Sequence, residues 1–177
     1  SGQYLALGIT HSLHSTNGSL ILVKTDTAGN ILWQKEHHLQ AQSLTSLINV
    51  SGAVELPDGS IAFCGNANGI NTDVGQPIST IYSFIGRVDA NGNLLWIKRS
   101  RYYYWESGYL MKGLIATGSG LMTIVGDGIM KVSQADGTLI GLQKRYASAG
   151  VFTSIEKNGN NLAVFSSQMR LDLDTSA

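Results

Sequence analysis

The sequence predicts an all-β protein, a β-propeller of four-stranded antiparallel blades, and three observations carry that prediction. One segment recurs: Leu20 to Trp33 (LILVKTDTAGNILW), Phe84 to Trp96 (FIGRVDANGNLLW) and, eroded, Gly128 to Gly141 (GIMKVSQADGTLIG). Its first half alternates apolar and polar residues, its middle carries turn residues, and its second half is apolar again. That is the pattern of two antiparallel strands around a tight turn. A second recurring segment lies upstream of each hairpin: Gly2 to Gly8 (GQYLALG), Gly59 to Gly65 (GSIAFCG) and Gly120 to Gly126 (GLMTIVG), with a further copy at Asn160 to Ser166 (NNLAVFS). Finally, 21 Gly and only 14% charged residues among 177 suit many strands joined by turns, against an average of about 25% charged.

In chain order, the first unit opens directly on Gly2 to Gly8, which matches Gly59 to Gly65, so it lacks an opening strand. The second is complete: Ala53 to Leu56, the turn PDG, Gly59 to Gly65, a loop, and the hairpin ending at Trp96. The third repeats this with Gly113 to Ala116 before TGSG, and the fourth starts with Val151 to Ile155 before KNGN and halts after Asp172. A tandem series of such up-and-down sheets is a propeller. Residues 1–177 are therefore expected to form a partial ring of two whole and two incomplete blades, in approximate units 1–40, 48–100, 109–146 and 150–177. Since closure takes about 4 to 8 blades, the expectation is a fragment of a larger ring or a ring completed by other chains. A β-sandwich of similar strand count is the alternative, and repetition of a complete four-strand unit argues against it.

Charge and cysteine content narrow the function classes. The 12 basic and 12 acidic residues cancel, so no global field favours nucleic acid or an anionic membrane. The single cysteine, Cys64, excludes an intramolecular disulfide and a multi-cysteine metal site, and its apolar strand makes it a small buried hydrophobe. No apolar run approaches the roughly 18 residues of a membrane span, and no signal peptide stands at Ser1, which reads as a mature or excised piece or a cytoplasmic protein.

The recurring residues have structural tasks. Asp26 and Asp89 precede their turns, where a carboxylate accepts from backbone N–H groups two residues on, and Gly29, Gly92 and Gly137 supply positive φ. Calcium is the competing reading of DTAGN and DANGN, but a calcium loop wants more oxygen ligands at fixed spacing. Lys24, Arg87, Lys131 and Arg170 stand two residues before Asp26, Asp89, Ser133 and Asp172, on one strand face, which predicts blade-surface ion pairs within each such couple. Trp33 and Trp96 are expected to wedge between neighbouring blades.

On these segments the chain resembles the repeats of secreted bacterial β-propellers, common in Bacteroidetes cell-surface proteins exported by the type IX system. In that family a strand resembling DGGYLALG precedes a hairpin resembling LLKLDSNGNVLW; here GQYLALG precedes KTDTAGNILW, and DGSIAFCG precedes RVDANGNLLW. The resemblance covers nearly the whole chain and implies an extracellular or outer-membrane-surface protein with an adhesive or scaffold role. The third unit departs from it, with Ser133 for Asp and Gly141 for Trp.

Enzyme readings fail on spacing. The Asp box of sialidase-like propellers has Asp and Gly two apart and Trp three beyond, which Asp26, Gly29 and Trp33 do not match. Nothing supplies the calcium and quinone site of quinoprotein dehydrogenases, and the Tyr-Asp repeats of toxin cages are absent. No GxSxG, HExxH, P-loop or paired-cysteine pattern occurs. His11, His14, His37 and His38 have no partner at motif spacing and are read as loop residues.

Loop lengths single out one face. In an up-and-down sheet the connections alternate between two ends. One end holds only short turns (PDG, TGSG, KNGN, TAGN, ANGN, ADGT), whereas the other holds residues 9–18, 37–46, 66–79 and 99–108, interrupted by the tight turn at Gly126 to Gly128. Binding chemistry is usually mounted on such loops. There RSRYYYWESGY places Arg99, Arg101, Tyr102, Tyr103, Tyr104 and Trp105 together. A strand continuing the blade would bury alternate rings, and the remaining rings with the arginines suit stacking on sugar or anchoring a protein. These six residues are the expected ligand-binding site.

The expected function is thus a noncatalytic binding or scaffold propeller, taking a glycan or protein partner through its loop-rich face and joined to other blades or domains of a larger chain. No cofactor, metal, nucleic acid or membrane span is expected. The alternative is a fragment of a propeller enzyme, glycan-active or quinoprotein-like, whose catalytic residues lie in missing blades.

Overall fold

Four antiparallel sheets follow one another along the chain. The structure is a computed structural model, and it describes residues 2–11, 18–38, 44–71, 78–99, 110–118, 120–126, 128–143, 152–158, 161–166 and 170–174. The first sheet holds β1 (Tyr4–His11), β2 (Gly18–Thr25) and β3 (Ile31–His38). The second holds β4 (Leu44–Glu55), β5 (Ile61–Asn71), β6 (Ile78–Val88) and β7 (Leu94–Arg99). The third holds β8 (Met111–Thr117), β9 (Gly120–Val125), β10 (Gly128–Val132) and β11 (Leu139–Gln143). The fourth holds β12 (Phe152–Asn158), β13 (Asn161–Ser166) and β14 (Arg170–Asp174). Each is an up-and-down sheet with strands in sequence order, and among the described residues two are four-stranded while two are three-stranded. The architecture is all-β, a partial propeller ring.

The opening strands meet side by side. A Cβ on Gly52 of β4 would lie 2.7 Å from the Leu114 nitrogen of β8, and one on Gly113 of β8 would lie 3.0 Å from Ile155 Cγ2 of β12. Glycine in a strand marks such close backbone approach. The blades therefore converge along their opening strands and splay outward from them.

Each space between blades is filled by alternating residues of the flanking strands. Ile61, Phe63 and Ala67 of β5 join Leu20 and Leu22 of the first blade in one apolar cluster, while Ala62 and Cys64 join Met111, Leu114, Leu121 and Val125 of the third in another. A third cluster, with Ile124, Ile129, Phe152, Ile155 and Val164, joins the last two blades. A period of two thus feeds two cores from one strand. Phe63 and Phe84 lie edge to face with centroids 6.3 Å apart, and each stands across the ladder from a glycine, Gly86 and Gly65. A Cβ on Gly86 would lie 2.6 Å from the Phe63 ring and one on Gly65 2.7 Å from the Phe84 ring. Burying each ring contributes about 2 kcal/mol, so the two bare glycines position much of this interface.

The outer hairpins share one irregularity. The ladder shifts register at Lys24/Thr25, Arg87/Val88 and Lys131/Val132, leaving Leu32, Leu95 and Ile140 as the extra residues of their strands. A bulge on the outermost strand twists it and blunts an edge that would otherwise invite pairing.

Several boundaries differ from expectation, and the expected loop 9–18 is already ladder as far as His11, which pairs with Gly18 at the end of β1 instead of lying in a loop. The second blade's opening strand runs from Leu44 rather than Ala53, with register shifts along it. Residues 66–79 are also mostly ladder rather than loop, since β5 and β6 pair as far as Asn71 and Ile78. The Gly- and Asn-rich composition there reads as a turn, but Asn66 and Ala67 are fully buried between blades. Likewise His37 and His38 end β3 rather than lying in a loop, because the ladder continues to Ser19 opposite His38.

Candidate functional site

At the end holding the short turns, the turn carboxylates and the indoles have structural partners. Asp26 Oδ1 accepts the Ala28 and Asn30 backbone N–H groups at 2.9 Å, and Asn30 Nδ2 donates to Oδ2. Asp89 repeats this with Asn91 and Asn93. These bonds, the asparagine side chain's first, hold both carboxyls below the usual range. Gly29 and Gly92 close the turns with φ of 87° and 80°, as the turn reading requires. In the third hairpin Gly137 bonds back to Ser133, one residue further than in the other two. The carboxylate role passes there to Asp136, which accepts the Thr138 hydroxyl and backbone N–H. Those bonds, the hydroxyl first, lower it from 3.8 to about 2.

The same end locks neighbouring blades together. Trp33 Nε1 donates to Ala90 O at 2.9 Å, and Trp96 Nε1 to Gln134 O at 3.2 Å. Each indole also lies flush against the glycine of the next blade's turn: a Cβ would meet Trp33 at 2.8 Å from Gly92 and Trp96 at 2.7 Å from Gly137. His37, on the same face of β3, donates through Nε2 to Gly92 O at 2.9 Å. The expected wedging of the tryptophans is thus what the structure holds.

The expected ion pairs within Lys24/Asp26 and Arg87/Asp89 are not formed. Lys24 Nζ instead pairs with Glu55 of the next blade at 3.0 Å. Arg87 pairs with Asp58, takes Ser60 Oγ at 2.9 Å and reaches Gln134 O of the third blade at 2.7 Å. The physical reason is competition, since Asp26 and Asp89 already accept three turn donors each, and the cations find carboxylates at the end of β4 and on the β4–β5 connection.

The other end is built differently. The β5–β6 ladder continues beyond Phe84, the residue of β6 opposite Arg99 at the end of β7. Arg99 turns along that extension, its guanidinium carbon 4.8 Å from the Tyr82 ring centroid. Tyr82 itself is 8% exposed and belongs to the cluster between the first two blades, so the ring is a fixed platform and the stack is a cation–π contact. Arg99 Nη1 is buried with no hydrogen-bond partner. Behind this, fully buried Asn66 bonds to Asn49 Oδ1 at 2.8 Å and accepts the Ser83 hydroxyl at 2.9 Å. Its Oδ1 also accepts the Met111 N–H at 3.0 Å, and its Nδ2 donates to Met111 O at 3.3 Å. Both backbone groups that open β8 are thereby tied to the second blade.

Of the six expected site residues, Arg99 is the one within the described residues; Arg101, Tyr102, Tyr103, Tyr104 and Trp105 lie outside them. Tyr82 and Asn66 were not singled out from the sequence. Asn66 carried a signal, since it falls on the face shared by Ala62 and Cys64, where a polar residue must find buried partners. Cys64 is fully buried, and burial pushes its thiol up, as a packing role implies. Among the described residues no three His, Cys, Asp or Glu side chains gather to hold a metal ion. No helix among them is long and apolar enough to cross a membrane.

No protein-family model and no curated protein matches the chain. Among solved structures it is similar to a protein of unknown function from Bacteroides caccae, with a TM-score of 0.50 and 12% identity, over 90% of this chain and 57% of that one. It also matches BamB from Moraxella catarrhalis, with a TM-score of 0.41 and 10% identity, over 92% of this chain and 55% of BamB. The chain thus spans little more than half the length of either structure. At such identities likeness speaks to fold alone, and the blades described above make that fold a partial β-propeller.

Proposed function

We propose that this chain is part of a noncatalytic binding or scaffold propeller of a bacterial cell-surface or secreted protein, and that it takes a glycan or protein partner through the end opposite the short turns. The observation that carries the reading is Arg99, a half-buried cation at the end opposite the short turns, stacked on Tyr82 and left without a hydrogen bond at Nη1, which directly precedes the arginine- and tyrosine-rich segment in sequence. Unsatisfied buried donors are rare in folded proteins and call for an explanation. The resemblance of the hairpins to secreted bacterial propellers supports the surface location and the adhesive role.

The test is retention of the chain on a glycan array and on immobilised surface proteins, with chemical analysis of whatever is bound. The expected result is reversible binding, recovery of the ligand unaltered, and loss of binding on Tyr103→Ala and Arg101→Ala but not on Asp89→Asn. A ligand returned cleaved or oxidised would move the chain to the enzyme class. Binding indifferent to the first two substitutions would move the site to another surface.

A further inference from the structure

We infer that the Asn66–Ser83 pair selects the opening strand that docks on the second blade, admitting β8 and rejecting the kind of strand that docks on the first. The two blades can be compared rung by rung, because the ladder shifts register at the same place in both hairpins, beside Thr25 and Val88. Tyr4 stands opposite Thr25 and Ile61 opposite Val88, so the pair Ile9↔Leu20 of the first blade occupies the place that Asn66↔Ser83 occupies in the second. Both pairs face the following blade. Leu20 is fully buried, and Ile9 packs against the same apolar cluster as Val50 and Ala53 of β4, the strand that opens the second blade. At the next junction the floor is polar instead. Asn66 Oδ1 accepts the Met111 N–H at 3.0 Å and Nδ2 donates to Met111 O at 3.3 Å, while Ser83 Oγ accepts the same N–H at 3.3 Å. The amide thus serves the first residue of β8 as a neighbouring peptide group would. Its orientation is set by Asn49 Oδ1, which takes Nδ2, and by the Ser83 hydroxyl, which donates to Oδ1.

The consequence is a mutual exclusion between junctions. Set on Ile9 and Leu20, the Met111 N–H and C=O would be desolvated against methyl groups and lose their present partners, a larger cost than the net worth of the bonds themselves. Set on Asn66, apolar side chains such as Val50 and Ala53 would strand a fully buried amide in the same way. The backbones alone offer no such distinction, since β4, β8 and β12 each pair antiparallel with the next strand and each carries a register shift. Chains built from similar units misassemble by docking one unit in another's place. A satisfied buried polar group makes one arrangement unique in a way that apolar contact does not.

The experiment copies the first blade's pair onto the second, Asn66→Ile with Ser83→Leu in the full chain. It reads amide hydrogen exchange residue by residue, and the share of multi-chain species by sedimentation after refolding from urea at low and high protein concentration. The Met111 amide should exchange about tenfold faster, the worth of one hydrogen bond, whereas amides in the middle of β5 and β6 keep their protection. The multi-chain share at high concentration should rise severalfold over wild type, as β8 docks on blades of other copies. Ser83→Ala alone, which removes one of the two acceptors of the Met111 N–H and adds no volume, should move both quantities the same way by less, and it carries the test where the double variant does not fold. Faster exchange spread evenly over all four sheets would make the pair an ordinary stabilising contact and overturn the selection. So would a multi-chain share equal to that of wild type, whatever the exchange at Met111. Retained protection of Met111 in both variants would overturn the inference at its root, because the amide would then not hold β8 at all.

Discussion

The two ends of the second blade handle the same chemical groups in opposite ways. At the short-turn end Arg87, its side chain 14% exposed, has every nitrogen matched to an acceptor, and Asp58, Asp89, Asn93 and Trp96 are likewise engaged within the fold. At the other end Arg99 rests on an aromatic face with a buried nitrogen left over. The first arrangement joins blades; the second leaves a guanidinium nitrogen unengaged, and it is there that the proposed binding is placed. A repeat protein that must keep its blades in register while varying what it binds gains from separating those tasks spatially.

Substitutions in urea denaturation test that division. The largest expected effect is Gly92→Ala, which forces a side chain onto a φ of 80° and drives it into the Trp33 ring, together costing about 3 kcal/mol. Arg87→Met comes next at about 2 kcal/mol, with Asp58 contributing least because it is more than half exposed and screened. A loss at Arg87 no larger than that at Arg99 would erase the contrast between the ends. Gly29→Ala carries the backbone strain alone, since nothing lies within 4 Å of its Cβ, and should cost about 1 kcal/mol. Equal losses at Gly29 and Gly92 would mean that the indole contact contributes nothing.

The smallest effect is a pH dependence. Asp136 is lowered from 3.8 to about 2 in the fold, so its contribution is present above the unfolded value and is lost as pH falls through the folded one. Between about pH 4 and pH 2 the wild type should lose stability more steeply than Asp136→Asn, whereas above pH 5 the two slopes should coincide.

The repeat was legible because its turn chemistry is local. Asp26, Gly29 and Trp33 recur as Asp89, Gly92 and Trp96, and each acts within a few residues or on the adjoining blade. The partners of Lys24 and Arg87 were not legible: spacing pointed to the aspartates two residues on, but those carboxylates are saturated by their own turns, and the competing ones lie at distant Glu55 and Asp58. The third turn misled in a similar way. Its extra residue moves the carboxylate from the Ser133 position to Asp136. At the candidate site, Arg99 stood out by its aromatic neighbours in sequence, while the ring it stacks on, Tyr82, comes from another strand and depends on register. Composition concealed that register, because the Gly- and Asn-rich run after Cys64 reads as loop.

The two tryptophan contacts among the described residues point the same way along the chain: Trp33 reaches forward to Ala90, and Trp96 forward to Gln134. A blade leaving the ribosome therefore offers a finished receptor to the hairpin that follows it, and the polypeptide can close like a ratchet, each click capturing the next segment before it can pair elsewhere. Gly141 occupies the tryptophan position of the third blade, with open space around its Cβ, so at that step the ratchet has no tooth.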